Sequence, residues 1–217
     1  MTMTTTKIVP ARPEHAPFVA WIMLAAARSH LPYGLWDIYM DRDEAATMKF
    51  LETLTLTTTP HFAHYTNFIV AEESGQPAAG LSAYFDAERG LPALFAGIDE
   101  ANATLGRTAE EHSAGMARIA SYVHCVPEHV DGAWIVEWVG TAAEYRRRGL
   151  LDALMARILD IGRERGATTA EIGVLIDNDS AQRAYEKNGF EVVQEMRHPD
   201  FEAVFGSPGL RELRRSI

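Results

Sequence analysis

The chain has 217 residues, and its 20 lysine and arginine residues against 30 aspartate and glutamate residues give a net charge of −10 at pH 7. An acidic chain is poorly suited to sequence-independent binding of nucleic acid or of an anionic membrane, so we expect neither and favour a metabolite or a cationic partner. The length is that of one elaborated domain, residues 1–217, and the only cysteine, Cys125, excludes an internal disulfide.

The N-terminal third of the chain predicts a strand, two helices and a β-hairpin. Apolar residues at helical spacing favour one helix that begins near Pro13 and another over 41–56. Two runs rich in apolar and β-branched residues, joined by turn residues, favour the hairpin. The predicted strands are 7–9, 67–72 and 78–85.

An apolar run within the first of these helices bears on the location of the protein. Residues 18–27 form the longest such run, and ten residues are about half of what a membrane-spanning helix needs. A secretory signal is the weaker interpretation, because Pro13, Glu14 and Pro17 stand where a signal carries basic residues. We therefore predict a buried first helix and a cytoplasmic protein.

Residues 86–131 form an acidic, alanine-rich segment whose apolar residues recur at helical spacing. Eight acidic and three basic residues leave this segment with a charge of −5, which is half of the net charge of the chain. We interpret it as a helical insertion between the third and fourth strands.

The C-terminal part alternates strands with helices, which is typical of an α/β domain. The apolar run after the insertion predicts a central strand, and a strongly amphipathic helix follows it and ends at Gly166. We expect the last strand to lie at an edge of the sheet. The predicted strands are 133–141, 168–176, 190–196 and 210–215, and the predicted helices are 149–165 and 180–188.

Three consecutive arginines, Arg146, Arg147 and Arg148, stand directly before Gly149 at the start of the amphipathic helix. A helix start offers unpaired backbone N–H groups, and glycine allows a close approach to the backbone, so this arrangement suits a phosphate or pyrophosphate. A solvated basic turn is the alternative. Arginines beside the positive end of a helix are unfavourable without an anion, which favours an anionic cofactor.

A second block of residues follows 32 positions after Arg146. The two blocks, RRRGLL after one strand and NDSAQRAYEKNGF after the next, resemble the GNAT superfamily of acetyl-CoA-dependent N-acetyltransferases over about 134–196. The resemblance implies a central, mostly antiparallel mixed sheet of about seven strands flanked by helices, with 133–196 as the acetyl-CoA-binding core. Leu151 departs from the small residue that the family has at this position of its loop.

The resemblance also implies which residues hold acetyl-CoA. The central strand separates from its neighbour in the family and offers backbone groups to the pantetheine arm, and the arginine-rich loop holds the pyrophosphate. Asn178 either caps the following helix or touches the cofactor, and the two readings stay open. The implied cofactor residues are Val139, Gly140, Thr141, Arg146, Arg147, Arg148, Gly149, Leu150, Leu151, Asn178 and Tyr185.

Two further residues are candidates for catalysis. Tyr185 stands where the family commonly places a general acid near the departing sulfur, and a tyrosine packed in the core is the alternative. An amine with a pKa near 10.4 must lose a proton before it attacks, so a base or a water chain is required. Glu137 is the leading base, on the same face as Val139 in a regular strand; an ion pair with an arginine is its alternative role.

The acceptor side and the partners are less constrained by sequence. Tyr33, Trp36 and Tyr39 lie between the first two helices, where the family places its acceptor pocket, and they form either a wall of that pocket or a packed lid. His61 and His64 have no visible third ligand, so we expect surface residues and no metal. The resemblance also makes a homodimer possible.

These observations favour an N-acetyltransferase that passes acetyl from acetyl-CoA to a primary amine of a small molecule or peptide, by direct attack in a ternary complex. The acidic composition favours a positively charged amine. Two alternatives stay open: a non-catalytic module of the same fold that binds or senses acyl-CoA, and an interaction protein that uses the acidic insertion.

Overall fold

A computed structural model describes residues 6–217, and strands from this range form one seven-stranded sheet. The order across the sheet is β1-β2-β3-β4-β5-β7-β6. The strands are β1 (Thr6–Pro10), β2 (Phe68–Glu73), β3 (Gln76–Tyr84), β4 (Trp134–Thr141), β5 (Thr169–Leu175), β6 (Glu191–Arg197) and β7 (Gly209–Ser216).

Helices connect most of these strands. Two of them, α2 and α9, were not predicted, because each is a short element inside a stretch that reads as a loop. The helices are α1 (Ala16–Arg28), α2 (Leu35–Met40), α3 (Glu44–Thr55), α4 (Asp86–Arg89), α5 (Leu91–Thr104), α6 (Ala109–Arg118), α7 (Leu150–Glu164), α8 (Asp179–Lys187) and α9 (Pro199–Phe205).

All neighbouring strands of the sheet are antiparallel except β4 and β5, which run parallel. The predicted mixed, mostly antiparallel sheet of about seven strands is therefore confirmed. The prediction that the last strand lies at an edge is wrong. β7 pairs with β5 on one side and β6 on the other, and its Leu213 is fully buried, whereas β6 exposes Val192 and Val193 and forms the edge.

The two faces of the sheet carry separate cores. One core packs α1, α2, α3 and α5 against residues such as Val70 and Ile135, and the other packs α7 against residues such as Val136 and Ile172. A third, smaller cluster joins Cys125 to Phe201 and Phe205 of α9. β4 thus lies in the middle of the sheet with a core on each side.

The segment between β3 and β4 is helical, as predicted, and comprises α4, α5, α6 and a 3₁₀ turn, Ala120–Cys125. Several of its acids serve the scaffold: Glu88 pairs with Arg165, and Glu100 accepts hydrogen bonds from Thr58. Between residues 6 and 217, no helix has the length and apolar character needed to cross a membrane.

Candidate active site

The centre of the sheet opens where β4 and β5 stop pairing. The two strands are in register from Trp134 opposite Ala170 to Val136 opposite Ile172, and the pairing ends there. Beyond this point, the space beside Gly173 of β5 is open: apart from its chain neighbours, no described residue has a heavy atom within 4 Å of the place where a Cβ would stand. The part of β4 from Glu137 onward therefore directs backbone groups towards an open cleft rather than towards a strand.

A β-bulge distorts β4 at the mouth of this cleft. Glu137 lies opposite Ser82 and Gly140 opposite Gly80, so three steps along β4 match two along β3. Trp138 takes up the extra residue in the left-handed region, with φ of +51°, which is a strained conformation for a bulky side chain. Its ring stacks on Phe62 at 6.3 Å, and this packing holds the bulge in place.

The bulge changes which face each side chain of β4 occupies. Glu137 follows Ile135 on the face of α1, Trp138 packs on the same face, and Val139 packs against the opposite core. The expectation that Glu137 and Val139 share a face is therefore wrong. It assumed a regular strand, and an extra residue reverses the alternation beyond it.

Glu137 is half-buried at the edge of the cleft, and among the described residues its carboxylate has no hydrogen-bond or ion-pair partner. The alternative that an arginine neutralises it is thus not what the structure contains. Burial raises the pKa of Glu137 to about 7, and nearby His129 opposes the rise. A carboxyl group with a pKa near 7 is suited to accept a proton at neutral pH.

Three tyrosines lie near enough to this carboxylate for its charge to act on their hydroxyl groups. Tyr84 lies opposite Ile135 on β3, Tyr122 comes from the 3₁₀ turn of the insertion, and Tyr185 comes from α8. Burial, and secondly the charge of Glu137, raises the pKa of all three hydroxyl groups. They therefore stay protonated at neutral pH and can donate hydrogen bonds. Tyr185 also packs in the core on the α7 side, which was the alternative to its predicted catalytic role.

The loop before α7 forms a concave surface of backbone N–H groups. Arg147 and Gly149 both lie in the left-handed region, with φ of +62° and +76°. Such alternation turns successive N–H groups towards one point and forms an anion-binding nest. The first turn of α7 adds its unpaired N–H groups, and the space beside Gly149 is empty to 4 Å. This arrangement fits a pyrophosphate.

The three arginines of the loop have different surroundings. Arg148 donates to buried Glu73 at 2.8 Å and to the carbonyl of Glu144, so it fixes the loop to the scaffold instead of facing a phosphate. Arg146 donates to the carbonyl of Thr141 at 3.3 Å. Within the described part of the chain, the side chain of Arg147 has no such partner and is free to meet an anion.

Two leucines at the end of the loop pack into the core on the α7 side of the sheet. Leu150 is buried, and Leu151 packs against the same core below the sheet. Leu151 stands where the family pattern has a small residue. Its side chain packs into the core, and its backbone lies in the first turn of α7.

Asn178 caps α8, as one of its two predicted roles requires. Its side-chain oxygen accepts from the N–H of Ala181 at 3.1 Å, and its amide donates to the hydroxyl of Ser29. Both ends of the amide are thus occupied by protein. The cap also ties the start of α8 to the end of α1.

The predicted aromatic wall divides into exposed and buried members. Tyr33 is 68% exposed, but Trp36 and Tyr39 are 1% and 0% exposed. Helix α2 turns both rings inward against Phe50, so neither can contact an acceptor, and their predicted role as pocket walls is wrong. The alternative, in which the rings serve packing, describes both of them.

Sequence reasoning missed two residues of the cleft that come from irregular backbone, Tyr122 and His129. It also passed over Glu171, although an acid within an apolar strand was a signal of the same kind as Glu137.

His61 and His64 were expected at the surface, but both are buried, and burial lowers the pKa of His61 to about 4. Cys125, the only cysteine of the chain, is a free thiol and is buried.

Most of the chain matches a known protein family. The model of the acetyltransferase (GNAT) family matches residues 32–190. No protein with a curated description matches the sequence.

Solved structures show the same fold at low sequence identity. An N-acetyltransferase from Staphylococcus aureus Mu50 is 17% identical, with a TM-score of 0.68 over 96% of this chain and 100% of its own. Drosophila melanogaster polyamine N-acetyltransferase, which forms N-acetylagmatine, is 14% identical, with a TM-score of 0.55 over 98% and 100%. The protein yncA from Salmonella typhimurium, solved with its cofactor acetyl-CoA, is 15% identical, with a TM-score of 0.50 over 97% and 93%.

Proposed function

The chain belongs to the GNAT family of acetyltransferases, and on that basis we propose that it transfers an acetyl group from acetyl-CoA to the primary amine of a small, positively charged molecule. The two substrates meet in the cleft between β4 and β5, and the amine attacks directly in a ternary complex. Family membership favours an acyltransferase over the two non-catalytic alternatives.

The observation that carries the proposal is the position of Glu137. Its unpaired carboxylate lies beside the bulge, at the point where β4 leaves β5. An ammonium group with a pKa near 10.4 is almost entirely protonated at neutral pH, and a carboxylate with a pKa near 7 removes its proton far better than an ordinary glutamate does. Glu137 therefore prepares the amine for attack.

Other groups of the cleft support the two ends of the reaction. The backbone N–H of Val139, at the end of the bulge, donates to the carbonyl oxygen of the acetyl group as negative charge develops there. The hydroxyl of Tyr185 donates to the departing sulfur. Since burial raises the pKa of Tyr185 above that of a thiol, near 8.5, a hydrogen bond is favoured over complete proton transfer.

The cofactor is held at its diphosphate end by the nest before α7. The N–H groups of residues 149–152 and the side chain of Arg147 meet the pyrophosphate, while Arg148 holds the loop in shape. The open backbone of β4 at Val139 and Thr141 receives the pantetheine arm. Acetyl-CoA supplies the activated acetyl group.

The chemistry of the cleft supports a cationic acceptor. Glu137 lies on a sheet face that also carries the rings of Trp138, Phe62 and Tyr84, which stack in sequence. A carboxylate beside aromatic faces suits an ammonium group on a short apolar chain. The fold relative that acts on polyamines makes such compounds the first acceptors to test.

Release of free thiol from acetyl-CoA tests the proposal. The wild-type protein is incubated with polyamines, agmatine, aminoglycosides, amino acids and peptides, and CoA binding is measured in parallel by calorimetry. We expect amine-dependent thiol release with at least one cationic small amine. Tight CoA binding without release for any amine contradicts an enzyme and supports an acyl-CoA-binding module.

The variant Tyr185→Phe tests the leaving-group end of the reaction. We expect a fall in kcat of about 10- to 100-fold, because the departing sulfur loses its hydrogen-bond donor. The affinity for CoA is expected to change less than about twofold, since the ring still fills the core. Tyr65→Phe, which removes a hydroxyl from the 3₁₀ turn before β2, serves as the control. An unchanged kcat for Tyr185→Phe removes this residue from the mechanism.

A further inference from the structure

A histidine of the insertion is held by a buried carboxylate near the base. Nδ1 of His129 lies 2.9 Å from Oε2 of Glu171, whose side chain is 1% exposed. The other oxygen of Glu171 accepts from the N–H of Val130 at 3.2 Å and from Nε of Arg214 at 2.9 Å. Glu171 is therefore fixed on both sides, and it fixes the orientation of the imidazole.

The strand register places this pair beside Glu137. Glu171 lies opposite Ile135 in the parallel pairing, and Glu137 is two residues farther along β4 on the same face. The charge of Glu137 raises the pKa of His129, and that of His129 lowers the pKa of Glu137, as is typical of neighbouring groups. The imidazole of His129 stands over Glu171 and keeps 23% of its side chain exposed to solvent. The other ring nitrogen of His129, Nε2, takes no part in the hydrogen bond with Glu171.

Several charged groups face His129. Glu171 comes from β5, Glu137 from β4 and Asp86 from α4. Burial by itself lowers the pKa of His129, but its hydrogen bond with Glu171 and the surrounding carboxylates outweigh burial and raise the pKa above the ordinary value. Arg214 of β7 completes the cluster, because its guanidinium pairs with both Glu171 and Glu212.

The same cluster has the composition of a metal site, since ligand atoms of His129, Glu171 and Glu212 lie within 4.8 Å of one another. Arg214 argues against a metal. Its guanidinium donates to both carboxylates, at 2.9 and 3.1 Å, so the cluster already contains its own cation. Burial, and secondly the charge of Glu171, raises the pKa of Glu212.

We propose that His129, positioned by Glu171, receives the proton that Glu137 takes from the acceptor amine and passes it to solvent. The inference rests on the proposed function. One proton moves from the ammonium nitrogen to the Glu137 carboxylate, then to Nε2 of His129, directly or through water, and then to water or buffer. Each turnover thus returns Glu137 to its charged form, and Glu171 holds the imidazole in place without leaving its own contacts.

Chemical rescue tests the relay. We expect His129→Ala to lower kcat at about pH 7 by about 10-fold or more with little change in acceptor KM, and added imidazole to restore most of the loss. His129→Gln, which keeps a side-chain amide beside Glu171, is expected to lose as much. The exposed His124→Ala, from the same insertion, is the matched control and is expected to behave as wild type without rescue.

A second readout does not depend on turnover. In NMR titrations, we expect the pKa of His129 to lie above its ordinary value in the wild-type protein and to be lower in Glu171→Gln, which removes the carboxylate that raises it. A wild-type protein without thiol release overturns the proposed function and the relay with it. An active wild type whose His129→Ala variant is equally fast, or a zinc-dependent thermal shift that Glu212→Gln abolishes, overturns the relay alone.

Discussion

Replacing Glu137 by glutamine is expected to lower kcat by about 100- to 1,000-fold, because the amide cannot accept the proton of the ammonium group. The affinity for CoA is expected to stay within about twofold, since Glu137 faces the acceptor side of the sheet. In the wild-type protein, kcat is expected to rise with pH through about 7, the pKa of Glu137, and then level off. Steady-state kinetics across this pH range, with thiol release as the signal, measures both effects.

The same substitution is expected to stabilise the protein above about pH 7. Burial raises the pKa of Glu137 in the folded protein above its unfolded value, so the stability that its proton contributes is fully present below about pH 4.5 and is lost as pH rises to about 7. Glutamine carries no such dependence. At about pH 8, denaturant unfolding is expected to show a gain of about 1 to 3 kcal/mol, reduced from the full shift because the side chain retains solvent contact.

Glu128→Gln, an exposed glutamate of the insertion, is the control for both measurements and is expected to change neither. A Glu137→Gln variant that retains full activity contradicts the assignment of the base. A variant that loses activity but also loses stability at about pH 8 points instead to a structural role of the carboxylate.

The cofactor side of the site was predictable because its signals are local in sequence. Gly149 and the helix after it follow from a glycine before an amphipathic run, and the left-handed conformation of Gly149 is what such a loop needs. Asn178 has the residue type and the position of a helix cap, and it caps α8. Each of these features depends on neighbours within a few positions along the chain.

The acceptor side was less predictable because its contacts join distant segments. The bulge at Trp138 packs against Phe62, which lies 76 positions earlier. The resemblance implied that this strand is distorted, but not which residue carries the bulge. The sequence alone does not distinguish Arg148 from the two arginines before it. Its ion pair with Glu73 of β2 shows that it holds the loop, whereas Arg147 has no such contact within residues 6–217. Tertiary packing decides such cases, and it also turned Trp36 and Tyr39 inward.

Trp36→Ala is expected to destabilise the fold by about 3 to 5 kcal/mol, because it leaves a large cavity in the core. The ring is 1% exposed and lies 5.9 to 6.2 Å from the rings of Tyr39, Phe50 and Trp138. A loss of this size is a large part of the roughly 5 to 15 kcal/mol that stabilises a typical domain. Trp36→Phe keeps most of the packing and removes a buried indole N–H that has no acceptor among the described residues. We therefore expect it to destabilise the fold by only about 1 to 2 kcal/mol.

Tyr33→Ala is the matched control, because sequence placed Tyr33 and Trp36 in one aromatic wall and the structure separates them. Tyr33 is 68% exposed, so its removal is expected to change the free energy of unfolding by less than about 0.5 kcal/mol. Any effect of Tyr33→Ala is expected in the acceptor KM alone. Equal destabilisation by the two alanine variants contradicts the inward packing of α2, whereas the expected difference leaves Tyr33 as the member of the three that an acceptor can reach.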